Sequence, residues 1–120
     1  MSCMNLGAVY VCSSDLERAE EFYSGLFEAE PSMEMPQSIG YQLDRGLFLI
    51  MDEAQLPVPI EYGNNRVPNF EVPDIDAAFE RVTALDPTKM SDDIDDAGPY
   101  RLFEFADPDG NILECYEAQA

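Results

Sequence analysis

One pattern occurs twice in these 120 residues, and it limits the folds open to them more than any other feature. Laying Asp15-Leu16 over Asp74-Ile75 also lays Ala8, Val9 and Val11 over Val67, Pro68 and Phe70. In each half a short apolar segment leads to an acidic residue, and apolar residues at helical spacing follow.

In the first copy, residues 4–13 alternate, with Val9, Val11 and Ser13 on one face of a strand and Ala8, Tyr10 and Cys12 on the other. Ser14-Asp15-Leu16-Glu17 reads as a capping box, the serine oxygen accepting the N3 amide while Glu17 reaches back. Leu16, Ala19, Phe22, Tyr23, Leu26 and Phe27 then form the buried stripe of a helix over residues 15–28, with Glu17, Glu20 and Glu21 on its wet side. Pro31 and Pro36 mark a connection. Strand-like runs follow at residues 39–43, 46–51 and 58–62, with Asp44-Arg45-Gly46 as a hairpin turn.

In the second copy, residues 67–72 form a short strand with Phe70 and Val72 on one face. Pro73-Asp74 opens a helix carrying Ile75, Ala78, Phe79, Val82 and Leu85, and Asp86-Pro87 stops it. Residues 92–96 read as a solvated loop. Strands at 100–105 and 111–117 are joined by Asp107-Pro108-Asp109-Gly110, where proline presets φ and glycine supplies a positive one. Both halves thus read β-α-β-β-β within one domain, with modules at about residues 1–63 and 64–120. Each has one helix to bury one sheet face, so the units must cover each other.

Charge narrows the partners. With 25 Asp+Glu against six Lys+Arg, the net charge of −19 leaves no basic surface for nucleic acid or an anionic membrane. The acidity reads either as a solvated surface suited to a salt-rich habitat or as attraction for a cationic ligand. Histidine is absent, which removes imidazole bases and imidazole metal ligands. Cys3, Cys12 and Cys115 show neither disulfide nor zinc spacing. No apolar run approaches a membrane span, and the expected compartment is the cytoplasm.

Three segments resemble the glyoxalase / bleomycin-resistance / extradiol-dioxygenase (vicinal oxygen chelate) superfamily. They are Val9-Tyr10-Val11 with Asp15-Leu16-Glu17-Arg18-Ala19 and Phe22-Tyr23, then residues 70–78, then Phe105-Ala106-Asp107-Pro108-Asp109-Gly110-Asn111-Ile112-Leu113-Glu114. The resemblance implies an α+β fold of two βαβββ modules whose curled mixed sheets surround a cleft, and a homodimer. It also implies a divalent metal held from the first, fifth and last strands. Those positions fall on Ala8, Val67 and Glu114, and a further family glutamate falls on Glu61. Two of the places that should offer nitrogen or amide donors offer hydrocarbon, so the expectation is no metal and no cofactor.

If the strand phases hold, the cleft-facing residues are Leu6, Ala8, Tyr10, Glu61, Val67, Asn69, Glu71, Ile112, Glu114 and Tyr116. Such a lining suits a small organic ligand, a cationic or amine-bearing one included. Tyr10, Glu61, Asn69, Glu114 and Tyr116 are the candidate ligand contacts. Glu114 reads alternatively as a remnant paired with Arg101 or Arg66, the tyrosines as core-edge residues, and Arg101 as a weak anchor for an acidic ligand. Asp93, Asp95, Gly98 and Glu104 imitate part of an EF-hand loop, but Ala97, Pro99 and the non-helical flanks argue against calcium. Ser13-Ser14 lack a base and are explained by capping. The expected function is a metal-free small-molecule binding or sequestering protein. The alternative is a lyase, isomerase or dioxygenase-like enzyme using Glu114, with Glu61, as metal ligand or general base.

Overall fold

The computed structural model describes residues 8–56, 59–63 and 67–119. Cys3, Leu6, the Asn64-Asn65 link, Arg66 and the first part of the expected opening strand lie outside the described residues.

Each half folds as βαβββ. The first comprises β1 (Ala8–Ser13), α1 (Leu16–Phe27), β2 (Met33–Met35), β3 (Ser38–Leu43) and β4 (Gly46–Asp52). The second comprises β5 (Asn69–Glu71), α2 (Ile75–Ala84), β6 (Asp95–Ala97), β7 (Tyr100–Ala106) and β8 (Ile112–Ala118). The sheet orders are β1-β4-β3-β2 and β5-β8-β7-β6. In both, the first strand pairs in parallel with the last and the remaining pairs are antiparallel, giving two mixed sheets of identical topology.

Four local expectations are corrected. The strand expected at residues 58–62 does not form over its described part: residues 59–61 pair with no strand, Tyr62-Gly63 is a turn, and Val58 lies outside the described residues. Pro59 has no N–H to give a ladder. Met33–Met35 takes the sheet edge instead, and Pro36-Gln37 is the two-residue turn between Met35 and its partner Ser38. Helix α1 is capped by Asp15, whose side chain accepts from the Arg18 amide at 3.1 Å, because Ser14 is engaged elsewhere. Residues 95–97 are an edge strand, not loop; Gly98, at φ +71, turns the chain into β7.

Both helices bury the stripe their spacing predicts. Ala19, Phe22, Tyr23 and Leu26 pack under the first sheet, and Ile75, Ala78 and Val82 under the second. The two helix-facing sides meet in one core. Phe70 of β5 lies edge-on to Phe27 at 5.4 Å and to Phe48 at 5.3 Å, while Phe22 approaches Phe105 at 6.3 Å. With the inner faces joined this way, the outer sheet faces carry exposed Tyr10, Met33, Met35 and Tyr100.

Candidate functional site

Strand alternation sends Val11 and Ser13 into the core and turns Tyr10 and Cys12 outward. Parallel pairing sets Tyr10 beside Leu49 and Cys12 beside Met51 on that outer face. Beyond β4 the chain makes a 3-10 turn at Glu53–Gln55, capped by the Asp52 side chain accepting the Ala54 amide at 2.9 Å. Residues 59–63 then return as a strap past β1. The Tyr62 hydroxyl donates to Glu53 at 2.5 Å, tying the strap to the turn it left. Gly63 closes it at φ +79, where a Cβ would stand 2.6 Å from the Gly110 carbonyl oxygen. Only glycine tolerates both conditions.

Between sheet and strap is an open cavity of about 780 Å³, lined by Tyr10, Cys12 and Met51 from the sheet, Ile60 and Glu61 from the strap, and Asn111 from the second module. The lining is mainly apolar with one carboxylate. This combination suits burial of a small organic molecule whose orientation is set by a few polar groups of the lining.

The Asp107–Asn111 turn positions Asn111 and joins the modules beside the cavity. Asp107 is fully buried. It accepts the Tyr23 hydroxyl at 2.7 Å, the amides of Asp109, Gly110 and Asn111, and the Asn111 side-chain amide at 2.8 Å. Asn111 also donates to the Cys12 carbonyl at 2.9 Å. Asp109 accepts from the Ser13 hydroxyl at 2.6 Å, the Ser14 amide at 3.0 Å, the Ser14 hydroxyl and the Arg18 guanidinium at 3.1 Å. The serines read as a cap are therefore half of an inter-module latch.

Burial, opposed by the hydrogen bonds from Asn111 and Tyr23, holds Asp107 above the ordinary aspartate range. Burial also works against charge on Asp109, but the bonds from Ser13, Ser14 and Arg18 outweigh it and keep that carboxyl below its ordinary value. Cys12 is pushed up by burial and by nearby Glu53 and Asp109, so it is a thiol, not a poised nucleophile. Burial pushes Cys115 up to about 12.

Tyr10 and Glu61 thus line one cavity. Asn69, Glu114 and Tyr116 lie together on the outer face of the second sheet, where Asn69 is the register partner of Glu114 and Glu71 that of Tyr116. Arg101 neither pairs with Glu114 nor awaits a ligand: it forks onto Asp76 of α2 at 3.3 and 3.4 Å. Cys12, Met51 and Asn111 were absent from the sequence-based contacts. The Asp-Pro-Asp-Gly-Asn run carried the latch in its composition, since a turn alone needs neither the second carboxylate nor the amide.

The donor set does not fit the metal the family resemblance implies. Ala8 faces outward on β1 and Val67 is exposed ahead of β5, and neither offers a lone pair. Among the described residues no three His, Cys, Asp or Glu side chains gather closely enough to hold an ion, the Asp93–Glu104 stretch included.

No curated protein matches the chain. Among solved structures, a glyoxalase/bleomycin resistance protein from Albidiferax ferrireducens T118 superposes with a TM-score of 0.78 at 23% identity, covering 93% of this chain and 98% of that one. A glyoxalase/bleomycin resistance protein/dioxygenase from Nocardioides gives 0.76 at 21% identity, over 99% and 86% of the two chains. A lactoylglutathione lyase from Agrobacterium tumefaciens gives 0.73 at 22% identity, over 94% and 92%. These likenesses show the fold. A profile of the Glyoxalase/Bleomycin resistance protein/Dioxygenase superfamily matches residues 5–115, and the chain belongs to that superfamily.

Proposed function

We propose that this chain is a small-molecule binding protein that works without the metal its family commonly holds, in the cytoplasm and as a homodimer. The observation that supports this reading is the cavity between β1, β4 and the strap. It offers apolar and aromatic surface with one carboxylate, and among the described residues no three His, Cys, Asp or Glu side chains gather there. Its volume lies within the range for small-molecule sites, roughly 300–1,000 Å³. No helix among the described residues is long and apolar enough to cross a membrane.

The uncovered faces support the homodimer. A lone chain leaves Tyr10, Met33 and Met35 exposed on the outer face of the first sheet, surface that a self-complementary partner would cover. A twofold pairing of first sheet with second sheet would bring Asn69, Glu114 and Tyr116 of one copy toward Tyr10 and Glu61 of the other. The five contacts read from the sequence then form one composite site.

The test is calorimetric titration with a panel of small aromatic and amine compounds, on the chain and on Tyr10→Ala. Half of the Tyr10 surface is already exposed, so its truncation leaves the fold intact. Binding to the chain that weakens in Tyr10→Ala supports the reading. Turnover of a bound compound that Glu114→Gln abolishes would overturn it in favour of an enzyme.

A further inference from the structure

The internal duplication lets the two outer sheet faces be compared position by position. Tyr10 beside Leu49 in the first sheet corresponds to Asn69 beside Glu114 in the second, and Cys12 beside Met51 corresponds to Glu71 beside Tyr116. Gly40, the other neighbour of Leu49, corresponds to Glu104, the other neighbour of Glu114. Where one face is apolar, its counterpart carries three carboxylates.

Glu104 and Glu114 stand directly opposite each other on antiparallel strands, a placement in which like charges repel. Among the described residues no arginine pairs with either of them. Arg18, Arg81 and Arg101 pair with Asp109, Glu28 and Asp76, and Arg45 reaches this face only at Glu71, at 3.5 Å. Lys89 borders a shallow cavity shared with Glu104 and forms no ion pair with it. Next to Glu114 along β8, Tyr116 meets Tyr100 of β7 edge to face, with centroids 5.7 Å apart and planes at 85°. Tyr100 is 47% exposed, so one wall of this aromatic corner is open to a ligand.

We propose that the Tyr100–Tyr116 corner, with Glu114 and Glu104 beside it, binds a fully alkylated ammonium group. An aromatic face attracts a cation whose charge is spread over alkyl groups and which is weakly hydrated. A metal ion would need more oxygen donors than this face converges, and a primary amine would need acceptors aimed at each N–H. An alkylated head needs only ring faces and nearby negative charge, and both are present. The proposal names the charged part of the ligand for the reading above and rests on it in one respect, that the second sheet's outer face meets ligand.

The probes are choline and its uncharged isostere 3,3-dimethyl-1-butanol, titrated at constant ionic strength, with sodium chloride in place of choline chloride as the salt control. The expected result is choline binding at least about tenfold tighter than the isostere, reduced about tenfold in Tyr116→Leu and kept within about twofold in Tyr116→Phe. Circular dichroism on each variant separates lost binding from lost fold. Equal binding of choline and isostere, or full choline affinity in a folded Tyr116→Leu, would overturn the proposal. If neutral aromatic compounds still bind and lose affinity in Tyr10→Ala, that failure leaves the cavity reading standing. Choline binding that depends on Tyr116, with no ligand responding to Tyr10→Ala, supports the proposal and removes the cavity instead.

Discussion

Replacing Asp109 by alanine tests whether the second module's turn locks onto the first. The Asp109 side chain is 2% exposed and accepts bonds from Ser13, Ser14 and Arg18, all across the module boundary. Arg18 is 49% exposed, so water compensates much of its loss. Ser13 is fully buried, and its hydroxyl loses its acceptor. An orphaned buried donor costs about 1–3 kcal/mol, and the Ser14 amide adds to that, so about 3 kcal/mol is expected in all. For a domain of this size that is a fall of roughly 10 °C in Tm, readable by calorimetry or by the urea midpoint.

The pH dependence has a definite sign. The folded-state pKa of Asp109 lies below its ordinary value, so its contribution is complete above the unfolded value and is lost as pH falls through the folded one. The stability gap between the wild type and Asp109→Ala should therefore be constant near neutrality and close below about pH 4. A gap under about 1 kcal/mol, or one that persists undiminished well below the aspartate range, would refute the latch as a stabilising contact.

Gly63→Ala combines a left-handed backbone with a Cβ 2.6 Å from a carbonyl oxygen, and should cost about 2 kcal/mol or more and weaken ligand binding by displacing the strap; unchanged urea midpoints would sink that account. In a Cys3→Ser background, an aromatic disulfide reagent at neutral pH should modify Cys12 slowly and Cys115 only on unfolding, since burial raises both thiols. Rapid modification of both in the folded chain would contradict the burial described. At a net charge of −19, raising sodium chloride from about 0.05 to 1 M should raise Tm by screening self-repulsion. A flat or falling Tm would show that the carboxylates are not a net burden on the fold.

Both helices and their buried stripes were legible because a 3.6-residue period survives whatever surrounds it, as Ala19, Phe22, Tyr23 and Leu26 illustrate. The phase of β1 was legible for the same reason, through its alternation. The edge strands were not. Met33–Met35 and Asp95–Ala97 are three residues each, with every residue on the exposed side, and are too short to carry a period. Residues 58–62 look more strand-like in sequence, yet the described residues 59–62 form no strand, and Pro59 has no N–H to give a ladder. The cap falls one residue later than the local pattern suggests because Ser14 and Asp15 are equally good acceptors locally; Asp109, 95 positions beyond Ser14, engages the serine and leaves the aspartate to cap.

The amino-acid order alone determined the twofold βαβββ plan, the helix faces turned inward and the absence of donors at Ala8 and Val67, because each is a property of neighbouring residues or of a single side chain. Tertiary structure decided that the helix sides of the modules share one core, that Tyr10 of the sheet and Glu61 of the strap line one cavity, and that Asn69, Glu114 and Tyr116 occupy a different sheet face. It also decided that the closing turn grips Ser13 and Ser14. Those outcomes depend on which distant groups can satisfy one another's buried hydrogen bonds and apolar surface, and no local spacing encodes that choice.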